Sequence, residues 1–205
     1  MEQSFSSIIF ENPMPHLYPR NSAFPNAVEL ADGRLLAAHQ MGVAFESVDG
    51  ATFLSESTDG GKTWSEPWKA FTQWEGRPIS ECAKLTCLPD GRLLLLGYAF
   101  YRDNPNLPLG NAQTGGLLED FVFWAESSDD GKTWSQMHSI PNTWNGHTEA
   151  SAPITVLHDG SWEPIIIEEQ YYRIQRMKSE FAIVHNLKPK VKVDSANFEL
   201  KGLMR

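Results

Sequence analysis

Short apolar runs alternate with polar turns along the first 160 residues, and one arrangement of them recurs three times. In each copy, two apolar runs flank an Asp-Gly pair, at Asp32-Gly33, at Asp90-Gly91 and, more weakly, at Asp159-Gly160. Asp-Gly between two strand-like runs is the strongest short-range signal for a β-hairpin, because both residues accept the left-handed backbone of a tight turn. The pattern therefore predicts three hairpins, and helical periodicity is nearly absent before residue 165.

A second motif, Ser-x-Asp-x-Gly-x-Thr-Trp, occurs at 57–64 and again at 127–134, each time directly after a β-like run. Aligned on the shared Gly-Lys-Thr-Trp, Asp59 matches Asp129. An Asp side chain can accept hydrogen bonds from the amides of its own turn. Gly permits a backbone conformation closed to other residues, and Trp supplies an apolar anchor. We interpret the motif as a lock on a hairpin rather than as a catalytic group.

The two motifs alternate along the chain, so each unit of roughly 60–70 residues should contain about four strands. Four-stranded units repeated in series are typical of a β-propeller. A β-sandwich also has short strands, but it lacks this repeated order of hairpins. The sequence thus predicts an all-β propeller.

The composition argues against several functional classes. The chain has 205 residues, of which 41% are apolar and 11% aromatic, which is enough for a core. A net charge of −9 argues against a nucleic-acid partner, and no apolar stretch approaches the ~18–20 residues of a membrane helix. The six His show no metal-ligand spacing, so no metal or other cofactor is expected. Residues 1–12 lack signal-peptide features, which favours a cytoplasmic location.

The charge is unevenly distributed. Residues 1–170 contain nine Lys and Arg against 23 Asp and Glu, whereas residues 171–205 contain eight against three. The chain therefore changes character near Tyr171. The basic tail is either a native C-terminal extension or a segment foreign to the fold, and the sequence leaves both interpretations open.

The second motif resembles the Asp-box, or bacterial neuraminidase repeat, and the stretch from about 18 to 168 is similar to a sialidase-type propeller. That family has six blades with its site at the centre of one face. The resemblance implies about three blades here, at about 18–75, 76–143 and an incomplete 144–170, with the basic tail 171–205 outside them. Half a propeller has two open sheet edges, which would allow self-association.

The resemblance also implies an activity. Sialidases use a Tyr nucleophile polarised by a Glu, an Asp acid/base and three Arg that bind the substrate carboxylate. It suggests an exo-α-sialidase-type glycoside hydrolase acting on terminal acidic sugars of glycans, with glycan or a small acidic sugar as partner. Two alternatives stay open: this short chain is inactive by itself, or it is a noncatalytic module that binds glycan or protein.

Blade one departs from the family pattern. The first inner strand of the family opens with Arg-Ile-Pro, where this chain has Ala23-Phe24-Pro25. Arg20, three residues upstream, could take over the missing arginine's role in binding substrate, or be a surface residue. In the following loop, Asp49 is the first choice for the acid/base and Glu46 the second, although Asp49-Gly50 also fits a simple turn.

The later blades contribute the remaining site residues. Glu81 opens blade two as the family's inner-strand glutamate does, so it is expected to face the axis in a catalytic role. Arg102 follows the second strand of that blade and is expected to bind substrate. Glu149, two residues after His147, opens blade three and is expected to line the site or a solvated loop. The nucleophilic Tyr is left unassigned.

Overall fold

The structure is a computed structural model, and it describes residues 6–72, 76–141, 146–157, 161–163, 167–169, 192–193 and 200–201. Every regular element within these ranges is a β-strand. The described part of the chain contains no helix of the length and apolarity needed to cross a membrane.

The first unit is a four-stranded antiparallel sheet in which neighbours along the chain pair with each other. Its strands are β1 (Asn21–Glu29), β2 (Leu35–Gly42), β3 (Ala51–Ser57) and β4 (Trp68–Lys69). The predicted hairpin joins β1 to β2: Gly33 has φ of 85°, and the amide of Arg34 donates to the Asp32 carboxylate at 3.1 Å. This is the backbone conformation for which Gly was expected.

The second unit repeats this arrangement. Its strands are β5 (Ile79–Cys87), β6 (Leu93–Tyr101), β7 (Asp120–Ser127) and β8 (His138–Ile140), again paired in chain order. Two consecutive four-stranded meanders packed face to face confirm the predicted all-β, partial propeller.

The third unit consists of shorter strands. They are β9 (His147–Glu149), β10 (Thr155–Val156), β11 (Trp162–Glu163), β12 (Ile167–Glu169), β13 (Lys192–Val193) and β14 (Leu200–Lys201). β9 pairs with β12, and the other four form a sheet in the order β10-β11-β13-β14. The third Asp-Gly pair and most of the basic tail lie outside the described residues. The blade boundaries and the status of residues 171–205 remain predictions.

The core has two layers, one on each side of the second sheet. One layer joins it to the first sheet through Leu36, Leu54, Leu85, Leu93, Leu95 and Phe123. The other joins it to the third unit through Leu94, Leu96, Phe100, Val122 and Ile154. Residues 93–96 of β6 are thus buried on both faces, which explains why the apolar run there is continuous rather than alternating.

Both Ser-x-Asp-x-Gly-x-Thr-Trp turns use the same hydrogen bonds. Asp129 accepts the Thr133 amide at 2.9 Å and the Thr133 hydroxyl at 2.6 Å, and Asp59 does the same with Thr63. In the second copy, Asp130 has φ of 59° at the position where the first has Gly60. The predicted role of the motif as a hairpin lock is confirmed.

The two ends of the sheets differ in what they carry. One end, which we call the turn end, holds the Asp-Gly turns and the locked turns, because β2 and β6 begin opposite the last residues of β3 and β7. The other end, which we call the loop end, holds the starts of β1, β5 and β9, the β2–β3 loop and the β6–β7 loop. All five predicted site residues are at or near the loop end.

Candidate functional site

Three titratable side chains come within electrostatic reach of Glu46 at the loop end: Arg102, His147 and Glu149. Glu46 lies in the β2–β3 loop, Arg102 directly follows β6, and the other two lie on β9. The structure thus brings together two of the predicted residues, Arg102 and Glu149, with the second-choice carboxylate Glu46.

Arg102 is fixed from two sides. Only 4% exposed, it donates from Nε to the Ser80 hydroxyl at 2.8 Å and from Nη2 to the main-chain oxygen of Glu46 at 2.5 Å. No hydrogen bond occupies Nη1 within the described residues, and this atom is not among those sealed from solvent. Burial lowers the pKa of Arg102 while the nearby Glu46 charge opposes this, yet guanidinium stays charged in proteins. Nη1 is therefore a preoriented donor for an anion.

Glu46 is the carboxylic acid of this cluster whose proton is held more tightly than usual. It is half-buried, and burial together with the nearby Glu149 carboxylate raises its pKa, against the opposing charges of Arg102 and His147. Its backbone has φ of 53°, a left-handed conformation that is uncommon for a residue other than Gly. Two carboxylates with different environments are the arrangement that acid/base chemistry needs.

The β9 side chains complete this cluster. Glu149 is half-buried and accepts a hydrogen bond from the Ser151 hydroxyl. His147 stacks on the Phe100 ring at 5.2 Å, and its Nδ1 lies 2.9 Å from Oδ2 of Asp120. Asp120 also accepts the Thr148 amide at 3.0 Å, so it holds the start of β9 against the start of β7.

Asp49 lies in a turn, as the simpler interpretation of the sequence suggested. Its Oδ1 accepts the Val43 amide at 3.1 Å and the Ser47 hydroxyl at 2.6 Å. Partial burial works to raise the pKa of Asp49, but these hydrogen bonds and the charge of Arg20 outweigh it and lower the pKa. The exposed Arg20 therefore lies near Asp49, and Asp49 is better suited to hold the loop than to donate a proton. Their predicted roles stay predictions.

Glu81 is directed into the contact between the first two sheets, and its expected catalytic role stays a prediction. It shares a strand face with Ala83 and Leu85, which pack on the first sheet. One carboxylate oxygen accepts the Thr52 amide at 2.6 Å, the other accepts the Thr52 hydroxyl, and the residue is 5% exposed. Burial raises the pKa of Glu81 to about 7, against the opposing effect of the Thr52 hydrogen bonds. A substrate at the loop end cannot reach this carboxylate without displacing Thr52.

Three residues near the site were missed by the sequence analysis. Lys84, 9% exposed, donates from Nζ to the Phe24 main-chain oxygen at 2.5 Å. Asp120 accepts the Thr148 amide and so holds β9 in place. Phe45, in the same loop as Glu46, is 63% exposed. Lys84 within the buried strand β5 was a signal that could have been used, whereas the exposure of Phe45 has no sequence signature. Tyr171 and Tyr172 lie outside the described residues, and the described part contains no group of three or more metal-ligating side chains.

No family model matches this chain, and no curated protein matches it. Several solved structures do match this chain. A protein of unknown function from Dyadobacter fermentans matches with a TM-score of 0.58 and 19% identity, over 74% of this chain and 49% of that one. The Hadza microbial sialidase Hz136 matches with a TM-score of 0.55 and 19% identity, over 74% of this chain and 33% of that one. The NanB sialidase of Streptococcus pneumoniae matches with a TM-score of 0.52 and 14% identity, over 80% of this chain and 44% of that one.

These similarities establish the fold, which is that of part of a sialidase-like β-propeller. At such identities they carry no residue roles, because one fold hosts many chemistries. The chain spans between 33% and 49% of the length of these three structures.

Proposed function

We propose that this chain forms part of a sialidase-like glycoside hydrolase that acts on a terminal acidic sugar of a glycan. The observation that carries the proposal is the cluster at the loop end. It combines a buried arginine that has a free donor with two carboxylates, one of which has a raised pKa. Hydrolysis of a glycosidic bond needs a proton donor and a second carboxyl group, and an acidic sugar needs a cation for its carboxylate.

In this proposal Arg102 binds the carboxylate of the sugar through Nη1. Glu46 donates the proton to the glycosidic oxygen, because its raised pKa keeps it protonated at a higher pH than an exposed glutamate. The bond between the sugar carbon and that oxygen breaks, and the proton from Glu46 becomes the new hydroxyl hydrogen of the leaving group. A water molecule adds its oxygen to the sugar carbon and gives up a proton to Glu149. Asp49 and Glu81 remain alternative acid/base and positioning residues, to be tested together with Glu46.

The assay is release of sialic acid from sialyl-lactose by the 205-residue chain. We expect Glu46→Gln to lower kcat at least 100-fold, the usual contribution of a general acid, without changing the melting temperature. Glu29→Gln, an exposed glutamate at the turn end, is the matched control and should leave turnover unchanged. Unchanged turnover in Glu46→Gln together with loss in Asp49→Asn would transfer the acid role to Asp49.

A noncatalytic glycan-binding module is the second candidate. It is favoured by Ala23, which occupies the position where the sialidase pattern has an arginine. Fewer substrate-binding arginines would leave affinity for an acidic sugar but weaken orientation of its bond for cleavage. Binding of a sialoside without turnover would favour this module, and absence of both would contradict the two functions together.

A further inference from the structure

Two aromatic side chains pack together at the solvent edge of the loop end, next to the cluster of Glu46, Arg102, His147 and Glu149. The Phe45 ring is 63% exposed, and its centroid lies 5.4 Å from that of Phe24, with an angle of 52° between the ring planes. Phe24 is half-buried and packs against the core between the second sheet and the third unit. We call Phe24 and Phe45 the aromatic rim. Its exposed part is a large apolar side chain beside charged groups, the combination that lines ligand sites.

The backbone is held in an uncommon conformation at Phe24 and at Glu46, the residue that follows Phe45. Phe24 and Glu46 each have φ of 53°, and Asp130 in the second locked turn is the one other described non-glycine residue with positive φ. Lys84 donates to the main-chain oxygen of Phe24, and Arg102 donates to that of Glu46. Such conformations persist where the surroundings enforce them, and they concentrate at ligand sites. Two largely buried cations thus fix the aromatic rim.

The rim and Arg102 would contact different parts of one ligand. Arg102 is 4% exposed and lies inside the site, whereas Phe45 lies at the solvent edge, one residue from the proposed proton donor. A proton donor acts at the oxygen between two sugars, so Phe45 lies where the chain of sugars would leave the site. The C–H groups on one face of a pyranose are an apolar surface that packs well against an aromatic ring.

We propose that Phe45 stacks on the second sugar, the one on the leaving-group side of the bond, while Arg102 holds the carboxylate of the terminal sugar. This inference rests on the proposed function because it uses the same site. It names the substrate class more narrowly: a disaccharide or longer glycan, rather than a single acidic sugar with a small leaving group.

The test compares two sulfur-linked probes that resist hydrolysis, methyl thiosialoside and a thio-linked sialyl-lactoside, by titration calorimetry on the full chain. The sialyl-lactoside should bind more tightly than the methyl glycoside. Phe45→Ala should weaken sialyl-lactoside binding about 3- to 10-fold, the range typical of an aromatic contact, and leave methyl thiosialoside binding unchanged. Phe45→Tyr should retain the tighter binding. Ile8→Ala, which alters a 71% exposed apolar residue next to the turn end, is the control and should change neither affinity.

The outcomes separate the two proposals. Equal affinity for both probes, or an equal loss for both in Phe45→Ala, would overturn the stacking role and leave the hydrolase proposal standing. Tighter binding of sialyl-lactoside that depends on Phe45, with no turnover of the oxygen-linked sugar, would support the stacking role and reject hydrolysis. Failure of both probes to bind the unmodified chain would overturn both.

Discussion

Protonation of Glu81 should control the stability of the contact between the first two sheets. Its carboxyl group is buried and bonded through both oxygens to Thr52, and burial raises its pKa from 4.5 to about 7. The perturbation is Glu81→Gln, which replaces the titrating carboxyl group by an amide of similar shape. The amide oxygen can still accept the Thr52 amide, and the amide nitrogen can donate to the Thr52 hydroxyl.

The direction in which stability changes with pH follows from how many protons the folded and unfolded chains bind. Between pH 4.5 and about pH 7 the folded chain holds a proton on Glu81 that the unfolded chain has lost, so the stability that this group contributes falls as pH rises. A pKa raised from 4.5 to about 7 corresponds to roughly 3 kcal/mol of unfolding free energy. Full stabilisation is present below pH 4.5, and it is lost above about pH 7.

The assay is urea unfolding at several values from pH 4 to pH 8.5, followed by tryptophan fluorescence. The free energy of unfolding of Glu81→Gln, minus that of the unmodified chain, should rise by about 3 kcal/mol across this range and then level off. Glu29→Gln, at an exposed position, should show no such rise. A difference that is independent of pH, or one that falls as pH rises, would refute the argument that burial controls the Glu81 proton.

Two further substitutions test the inter-sheet packing and the locked turn. Gly131 and Gly33 have similar backbone angles, with φ of 78° and 85°. In Gly131→Ala the new Cβ would lie 2.8 Å from the Leu36 side chain in the core, whereas in Gly33→Ala it would have no neighbour within 4 Å. Urea unfolding should therefore show Gly131→Ala as the more destabilising by about 1–3 kcal/mol, and equal effects would contradict the packing argument. Asp129→Asn removes an acceptor for the Thr133 hydroxyl and should lower the free energy of unfolding by about 1–2 kcal/mol at pH 7; an unchanged thermal unfolding curve would count against the lock.

Most of the fold was predictable because its determinants are local. Asp32-Gly33 and Asp90-Gly91 form the expected turns, and Asp59 and Asp129 make the expected hydrogen bonds within their own motifs. A turn of four to eight residues contains all the atoms that stabilise it, so a short segment suffices to identify it. The repeat of these turns then specifies a four-stranded unit and, in series, a propeller.

The candidate site was predicted less completely. The positions of Arg102 after β6, of Glu149 on β9 and of Glu46 in the β2–β3 loop could be predicted, because strand ends are determined by the same local turns. The contact that Glu81 makes could not be predicted, since residues on a strand alternate between two faces and both faces of β5 are buried. Both faces of β5 mix polar and apolar residues, so alternation in sequence cannot tell which face packs on the first sheet.

The sequence by itself determined the all-β architecture and the repeat of four-stranded units. Only the tertiary structure decided which residues of neighbouring units meet. The Arg102 contact with Glu46 joins residues 56 positions apart, and the Glu81 contact with Thr52 joins residues 29 apart. Such pairings depend on how one sheet packs against the next. That packing is set by the combined shape of many core side chains rather than by any one segment.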